Sequence, residues 1–394
     1  MKTRLLTRHS ISLLLAAAFP LIALAGAEEP PASPEVAAAM KPYFDSHKLA
    51  GVIGIVANRD GKVVSENLIG HADVEAGKPM REDNVFWIAS MTKMFTGASI
   101  MMLVDEGKVQ LDDPVTKFLP QLDRWQVIAE SDKSHTLLEP VARPVTIRHL
   151  LSHTSGLAPH PELQQVTGAD SVPLSVRALA SVTGPLQSQP GTKYAYGNQG
   201  MNIAARVIEV VSGIAYEDFL QQRIFDPLGM TETTFWPSEA LIARLANTYG
   251  PNKDKTGYAK GEIGYLKPPF SDRAHRFPEA GGGLFSTAHD ILLWGMLLAN
   301  NGELEGKRYL SPAAMDELRK EQTGATKVNY SLGYHLRNGM FGHDGAYGTD
   351  LSVHPGSGMI ALFLVQCSSG DQWEARDTFL KAAAEVFEKS GHGR

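Results

Sequence analysis

The chain has 394 residues, of which 43% are hydrophobic and 20% charged, so it can bury a large core and is neither disordered nor fibrous. Its formal net charge is −6, and no block of Lys or Arg stands out after the first residues, which argues against nucleic acid as a partner. The single cysteine, Cys367, excludes an internal disulfide and lies in an apolar run, so we expect it in the core.

The N-terminal segment has the pattern of a secretory signal peptide. Basic residues come first, an apolar run from Ile11 to Leu24 follows, and small residues come next. We expect residues 1–27 to be removed by cleavage after Ala25 or Ala27. The apolar run is short and contains Pro20, which disfavours a stable membrane anchor. The sequence therefore predicts an exported protein, either periplasmic or secreted.

The first elements of the remaining chain are predicted to be a helix and a β-hairpin. Ser33 and Pro34 have the residue types of a helix N-cap and a first helical position, and apolar residues follow at helical spacing. Two apolar runs, Gly51–Asn58 and Lys62–Ile69, flank the turn residues Arg59-Asp60-Gly61. That arrangement is typical of a hairpin.

The middle of the chain is predicted to be mostly helical. A helix over Ser90–Glu106 ends at a glycine. Residues 112–283 contain many turn residues and no clear alternation of the kind that strands show, so we interpret them as a helical insertion. Within it, Thr146 is expected to cap one helix, and Gly200–Val211 forms another.

The C-terminal part returns to strand patterns and predicts the fold class. Thr287 is the expected cap of a helix that runs to Asn300. Three strands and a last helix follow, over Leu332–Leu336, Asp350–Val353, Met359–Gln366 and Glu374–Lys389. Both ends of the chain thus supply strands, which predicts an α+β fold with an antiparallel sheet flanked by helices. Residues 28–394 are expected to form one catalytic domain that carries the insertion.

The first candidate catalytic motif is Ser90-Met91-Thr92-Lys93, at the start of a predicted helix. Positions i and i+3 share one helix face, so the amine of Lys93 can lie beside the hydroxyl of Ser90. A serine hydroxyl needs a neighbour to take its proton before it is a good nucleophile, and a helix N-terminus favours a developing oxyanion. Alone, the motif fits an N-cap serine followed by a solvated lysine better than it fits a catalytic pair.

Two further motifs carry polar groups suited to the same chemistry. In Tyr196-Gly197-Asn198, the phenol can act as a base if a cation such as Lys93 lowers its pKa, and the amide of Asn198 can grip a substrate. In His343-Asp344-Gly345, the glycine lets the backbone approach a ligand and present the N–H of Ala346. Alone, each of these motifs fits an ordinary turn.

Together the three motifs resemble the serine β-lactamase and penicillin-binding-protein superfamily, in its branch of class C β-lactamases, DD-peptidases, D-aminopeptidases and esterases. The resemblance spans nearly all of the chain after the signal peptide. Supporting segments, in the order of that family, are Val104 to Pro114, His149 to Leu157, Asp226 to Met230 and Gly281 to Thr287.

The resemblance implies a role for each motif. Ser90 would be acylated, Lys93 and Tyr196 would share proton transfer, and Asn198 would orient the substrate. The backbone N–H groups of Ser90 and Ala346 would form the oxyanion hole, with His343, Gly345 and Ala346 on the substrate-binding side. No metal or organic cofactor is implied.

The sequence departs from class C β-lactamases at the third motif, where His343 replaces a lysine that helps bind the substrate carboxylate. A histidine is mostly neutral at pH 7, so efficient β-lactam hydrolysis is not expected. The His-x-Gly triplet is similar to that of some DD-peptidases and D-aminopeptidases, which favours amide substrates.

Three other patterns are set aside as structural. Lys255-Thr256-Gly257 lies in a polar stretch and is interpreted as a loop, and Gly391 after Lys389 as a helix C-cap. His149 and His153 have the spacing of a zinc pair but lack the Glu of a metalloprotease between them, so no metal site is expected.

The sequence thus predicts an exported serine hydrolase that cleaves ester or amide bonds of small substrates, including peptides and fragments derived from peptidoglycan, through an acyl-serine intermediate. Two alternatives stay open. One is a true class C β-lactamase, and the other is a catalytically silent homologue that binds peptidoglycan or a protein.

Overall fold

The computed structural model describes residues 30–158, 172–180, 184–264, 266 and 268–392. Residues 31–394 make up one compact unit, and the expected signal peptide at residues 1–27 lies outside the described residues. The strands are β1 (Gly51–Ala57), β2 (Val63–Asp73), β3 (Lys78–Pro79), β4 (Val85–Trp87), β5 (Gln126–Ser131), β6 (Thr136–Pro140), β7 (Tyr249–Pro251), β8 (Tyr258–Lys260), β9 (Phe285–Thr287), β10 (Glu303–Leu304), β11 (Lys307–Arg308), β12 (His335–Arg337), β13 (Met340–Asp344), β14 (Asp350–His354) and β15 (Met359–Leu364).

Both ends of the chain contribute to one antiparallel sheet of seven strands. Its order is β12-β13-β14-β15-β1-β2-β3, so β15, near the C-terminus, pairs directly with β1, near the N-terminus. The register places Ile53 opposite Leu364 and Ile55 opposite Leu362. The expected α+β fold, with an antiparallel sheet made from the two chain ends, is confirmed.

Helices cover this sheet and fill the middle of the chain. They are α1 (Pro34–Asp45), α2 (Thr92–Asp105), α3 (Ile147–Leu151), α4 (Leu174–Ala180), α5 (Gln199–Ser212), α6 (Tyr216–Leu220), α7 (Asp226–Leu228), α8 (Glu239–Ile242), α9 (Ala288–Ala299), α10 (Pro312–Arg319) and α11 (Gln372–Lys389). The predicted helix N-caps are present, because the side chains of Ser33, Thr146 and Thr287 each accept a backbone N–H at the start of a helix. Gly213 and Gly391 adopt positive φ just after α5 and α11.

The two faces of the sheet pack against different cores. All seven residues of β1 are buried, because alternate side chains face α1 and α11 on one side and the main core on the other. Val52 and Val56 belong to the smaller core with Phe379 of α11, whereas Ile53 and Ile55 belong to the larger one. Cys367 is buried in the smaller core, as expected.

Helix α2 lies at the centre of the larger core. Its residues from Thr92 to Leu103 are all buried, so it is apolar around most of its circumference and makes contacts with α5 and α10. Gly97 allows the close approach of the segment that leads into β12, since a Cβ there would lie 2.0 Å from the carbonyl oxygen of Leu332. The helix that carries the first motif is therefore held from several sides.

The segment 112–283 holds more strands than the sequence predicts. Besides its helices, it contains the hairpins β5-β6 and β7-β8. All residues of β6 are exposed, so neither face of that strand carries the buried alternation by which a strand is recognised. Strands β7 and β8 have three residues each, and the turn between them contains Lys255-Thr256-Gly257, which is a loop as expected.

The strand boundaries near the C-terminus also differ from the expectation. The segment Leu332–Leu336 becomes a strand only from His335 onward, and β13 pairs with it although no strand is predicted there. His343 and Asp344 thus lie within a strand of the main sheet rather than in the loop before it. Among the described residues, no helix combines the length and the apolar character that crossing a membrane requires.

Replacing Gly97 by alanine tests the packing of α2. The added methyl group would overlap the carbonyl of Leu332, so we expect Gly97→Ala to lower the free energy of unfolding by about 1–3 kcal/mol. Gly184→Ala is the matched control, because a Cβ at that position meets none of the described residues within 4 Å. Urea denaturation of both variants measures the difference, and equal stability of the two would contradict this packing.

Candidate active site

Ser90 lies at a sharp turn between a strand and a helix. Strand β4 pairs with β9, and the chain then passes through Ala89, whose φ of 46° is unusual for a residue with a side chain, into a short 3₁₀ turn over Ala89–Met91. Helix α2 begins at the next residue. Ser90 is half-buried, and its hydroxyl lies at the N-terminal end of α2, where backbone N–H groups favour negative charge.

The side chain of Lys93 is fully buried, at 0% exposure, and its amine has three oxygen neighbours. Nζ lies 3.0 Å from Ser90 Oγ, 2.8 Å from Asn198 Oδ1 and 2.6 Å from the carbonyl oxygen of Gly281. The last two oxygens can only accept hydrogen bonds. A neutral amine that donates two protons to them therefore points its lone pair at the hydroxyl of Ser90.

The environment of Lys93 brings its pKa down to about 7. Burial is the main cause, because it disfavours the charged form, and the negative charges of Glu279 and Asp344 partly offset it. Burial also raises the pKa of Glu279, and the positive charge of Arg177 is the largest influence that lowers it again. An amine with such a pKa exists in both protonation states near neutral pH. Lys93 can therefore accept a proton and return it under physiological conditions.

The second motif lies directly against this amine. Lys93 Nζ is 4.7 Å from the centroid of the Tyr196 ring, and Asn198 immediately precedes α5. A Cβ on Gly281 would come within 2.4 Å of Asn198 Oδ1, so only glycine allows the two groups to meet at Lys93. Among the described residues, no hydrogen bond uses Nδ2 of Asn198, and this N–H₂ group is available to a substrate.

The expected lowering of the Tyr196 pKa is wrong in direction. Burial raises the pKa of this phenol, although a hydrogen bond with Ser90 opposes the shift. The residue as a whole is 38% exposed, so its ring forms a wall of the cleft while its hydroxyl is desolvated. Tyr196 therefore keeps its proton at neutral pH and is suited to donate it rather than to act as the first base.

His343 faces inward and is 1% exposed. Its Nδ1 lies 2.7 Å from the carbonyl oxygen of Asp344, and its Nε2 lies 3.0 Å from the hydroxyl of Tyr330. The carbonyl can only accept, so Nδ1 carries the proton and Nε2 accepts from Tyr330. The Tyr330 oxygen in turn accepts from Nε2 of His153, 3.1 Å away. Both ring nitrogens of His343 are thus engaged within the protein, and burial holds its pKa well below the usual range.

The backbone after His343 approaches the Ser90 turn. A Cβ on Gly345 would lie 2.4 Å from the carbonyl oxygen of Ile88 and 2.2 Å from Thr349 Oγ1, so a glycine is required there. The next residue, Ala346, is exposed, and no hydrogen bond among the described residues uses its N–H. This geometry suits the expected role of that N–H opposite Ser90.

A network of charges closes the cleft beside the third motif. The carboxylate of Asp344 lies against the guanidinium of Arg337, 3.6 Å from Nη1 of Arg376 and 3.4 Å from Nε2 of His335. Ligand atoms of His335, His343 and Asp344 lie within 4.8 Å of one another, a spacing that could suit a metal ion. The two arginines on Asp344 and the occupied nitrogens of His343 favour an ion-pair network over metal binding.

Comparison with known proteins identifies the family. The sequence model described as Beta-lactamase matches residues 36–385. The chain belongs to the beta-lactamase family. A lovastatin esterase of Penicillium rubens is 32% identical over 296 residues, which cover 71% of each chain. Penicillin-binding protein 4 of Amycolatopsis lactamdurans is 32% identical over 304 residues, 73% of this chain and 74% of the relative.

A solved structure of the same fold is EstCE1, described as a hydrolase with promiscuous acyltransferase activity. It has a TM-score of 0.72 and 22% sequence identity, and the match covers 88% of this chain and 97% of that one. At this identity the likeness shows the fold alone. The family resemblance drawn from the three motifs, in the branch of class C enzymes, penicillin-binding proteins and esterases, is confirmed by these matches.

The structure brings the residues of all three motifs to one cleft and adds others that sequence reasoning missed. His335 of β12 lines the cleft, Tyr330 is buried against His335 and His343, and Glu279 lies behind Lys93. The Tyr330–His343 hydrogen bond depends on a pairing of strands that the sequence pattern does not show. In the sequence, Glu279 could have been found only through its position two residues before the family segment that begins at Gly281.

The histidines set aside as structural have structural partners. His149 completes the cap of α3, because its Nδ1 accepts the N–H of Thr146 while its own N–H bonds to Thr146 Oγ1. His153 is buried and bonds to Tyr330, so it belongs to the hydrogen-bonded chain behind the cleft.

The state of Lys93 predicts how the reactivity of Ser90 depends on pH. Below the pKa of about 7 the amine is protonated and cannot act as a base, so the rate of Ser90 labelling by a fluorophosphonate should rise with pH through a midpoint near 7. Lys93→Met should lower that rate by about 10²- to 10⁴-fold. Lys108→Met, on an exposed lysine, is the control. A rate that is flat between pH 5 and pH 9, or unchanged in Lys93→Met, would rule out this role for the amine.

Proposed function

We propose that the protein is a serine hydrolase that cleaves small, uncharged esters through an acyl-enzyme on Ser90. The observation that carries the proposal is the buried amine of Lys93, held by two pure acceptors so that its free position faces Ser90 Oγ at 3.0 Å. A lysine held in this way is placed to act as a base for the serine, and its lowered pKa lets it do so near neutral pH.

In the first step, Lys93 takes the hydroxyl proton of Ser90 as Oγ attacks the ester carbonyl. The carbonyl carbon becomes tetrahedral, and its oxygen takes up the negative charge. The N–H groups of Ser90 and Ala346 would stabilise this oxyanion, together with the N-terminal end of α2. The N–H₂ group of Asn198 would hold the substrate while its Oδ1 stays on Lys93.

In the second step, the tetrahedral species collapses and the bond to the leaving alkoxide breaks. The alkoxide needs a proton, and the protonated Tyr196, beside Ser90, is placed to give it. Lys93 then returns its proton to Tyr196, so both groups regain their starting states. A water molecule attacks the acyl-serine by the reverse sequence of proton transfers, and the acid is released.

The charges of the cleft support uncharged substrates. His343 takes the place of a carboxylate-binding lysine, but it is neutral and both its nitrogens are bonded within the protein. Arg337 is paired with Asp344, and its Nη1 lies 3.5 Å from Asp350. A substrate carboxylate would therefore lose water without gaining a partner, which costs free energy.

The walls of the cleft support esters with an apolar or aromatic part. The exposed ring of Tyr196 and the partly exposed ring of His335 lie nearly parallel, with centroids 6.5 Å apart, and the buried rings of His153 and Tyr330 pack behind them. Aromatic rings bind apolar groups by burying area and by edge-to-face contacts. The similarity to a lovastatin esterase agrees with this choice. We therefore place esters ahead of the amide substrates that the His-x-Gly triplet alone favours.

The proposal includes export, which rests on the signal-peptide pattern of residues 1–27. Edman sequencing of the protein after expression in a bacterial host should find a mature N-terminus just after Ala25 or Ala27. An intact Met1 on protein retained in the cytoplasm would contradict export.

A matched pair of esters tests the substrate class. We expect kcat/KM for p-nitrophenyl butyrate to exceed that for the mono-p-nitrophenyl ester of succinic acid by about 10-fold or more, since only the second carries a carboxylate that the cleft cannot pair. Nitrocefin should be hydrolysed more slowly than the neutral ester. Ser90→Ala should abolish all three activities.

Three results would contradict the proposal. An equal or faster rate with the anionic ester would show that the cleft does bind carboxylates. A nitrocefin rate at least equal to the butyrate rate would favour the class C alternative. Failure of the folded protein to hydrolyse any of the three, with no label on Ser90, would favour a silent binding protein.

A further inference from the structure

Glu279 shapes the turn that presents an oxygen to Lys93. Its carbonyl oxygen accepts the N–H groups of Gly282 at 3.1 Å and Gly283 at 2.8 Å, and its carboxylate Oε1 accepts the N–H of Gly281 at 3.4 Å. The carbonyl of Gly281 points to Lys93 Nζ, 2.6 Å away. The backbone carbonyl of Glu279 therefore holds the peptide group whose oxygen bonds the catalytic amine, and its side chain holds the preceding peptide group of the same turn.

Four helices pack polar or charged groups around Glu279. Lys93 on α2 and Arg177 on α4 face it with positive charge. Asn202 on α5 lies against Glu279, and its Oδ1 accepts the N–H of Ala280 at 3.0 Å. The charge of Glu279 also raises the pKa of Tyr216 on α6, although burial is the main cause of that shift. Arg177 is itself buried and lies 5.0 Å from the ring centroid of Phe277, so this side of the site is desolvated.

Other titratable groups face Lys93 from the opposite side of the cleft. They are Asp344 and His343 on β13, His335 on β12, His153 after α3 and Tyr196 before α5. The three histidines have pKa values below their usual range because of burial, and so are neutral at pH 7. Asp344 is paired with arginines. Glu279 is thus the carboxylate that acts on Lys93 most directly.

We propose that Glu279 is a positioning residue for Lys93, because its backbone carbonyl and its carboxylate hold the two peptide groups of the turn that presents the Gly281 carbonyl to the amine, and because the carboxylate lies close enough to the amine to act on its charge. This inference rests on the proposed role of Lys93 as the base for Ser90. Without a nearby carboxylate, a fully desolvated lysine would lose its proton at a lower pH and would be a weaker base toward the hydroxyl of Ser90.

The influences on the pKa of Lys93 agree with this role of Glu279. Burial lowers the pKa of Lys93, and the charge of Glu279 is the largest influence that raises it again. Removing the charge should therefore lower the pKa of the amine further and move the activity profile toward acid pH. Removing the carboxylate altogether should also loosen the Gly281 turn and misplace Nζ.

Three substitutions at this position separate charge from geometry. Glu279→Gln keeps an oxygen for the Gly281 N–H but removes the charge, Glu279→Ala removes both, and Glu279→Asp keeps the charge. The readout is the rate of Ser90 labelling by a fluorophosphonate as a function of pH, with a thermal melt to confirm that each variant is folded. Glu239→Gln, on an exposed glutamate of α8, is the matched control.

We expect the midpoint of the profile in Glu279→Gln to fall by about one pH unit, with the rate at high pH retained. Glu279→Ala should show the same shift and a lower maximal rate, whereas Glu279→Asp and Glu239→Gln should keep the wild-type midpoint. Either uncharged variant is sufficient if the other does not fold.

A wild-type midpoint in a folded Glu279→Gln or Glu279→Ala would overturn the inference, while leaving Ser90 and Lys93 as nucleophile and base. A wild-type protein that is never labelled at Ser90 would instead refute the proposed function. The two failures therefore give different results in the same experiment.

Discussion

The arrangement of the site depends on the burial of one amine among three oxygens. Ser90 lies in the turn that leads into α2, and Lys93 lies in the first turn of that helix. The other two acceptors, Asn198 and Gly281, stand 105 and 188 positions after Lys93 in the chain. The amine is desolvated only when α5 and the glycine turn at Gly281 pack against α2. The fold therefore creates the base, because an exposed lysine would stay charged at neutral pH.

The other polar groups of the cleft complement this amine without competing with it. Three buried histidines are neutral, and Tyr330 links His343 to His153 through one defined set of proton positions. Asp344 is held by arginines at the edge of the sheet. The result is a site in which Lys93 titrates near pH 7 and little attracts a substrate carboxylate, which distinguishes it electrostatically from a site with lysine in the third motif.

Local patterns predicted the parts of the structure that local physics determines. The i, i+3 contact between Ser90 and Lys93 at the start of α2 and the caps at Ser33, Thr146 and Thr287 follow from the residues themselves. The meeting of Tyr196, Asn198 and Gly281 at Lys93 depends on tertiary packing, and only the family resemblance pointed to part of it. The inward orientation of His343 and the role of Glu279 depend on strand pairing and charges distant in sequence. The exposed strand β6 was missed because neither of its faces is buried.

The most direct test of this account is a titration of Lys93 itself. Wild-type protein and Lys93→Arg, both labelled with ¹³C at the lysine ε-carbon, would be compared by NMR to assign the Lys93 signal, which would then be followed with pH. The account predicts a transition near pH 7. A Lys93 signal that stays in the protonated position until about pH 10, as for an exposed lysine, would contradict it.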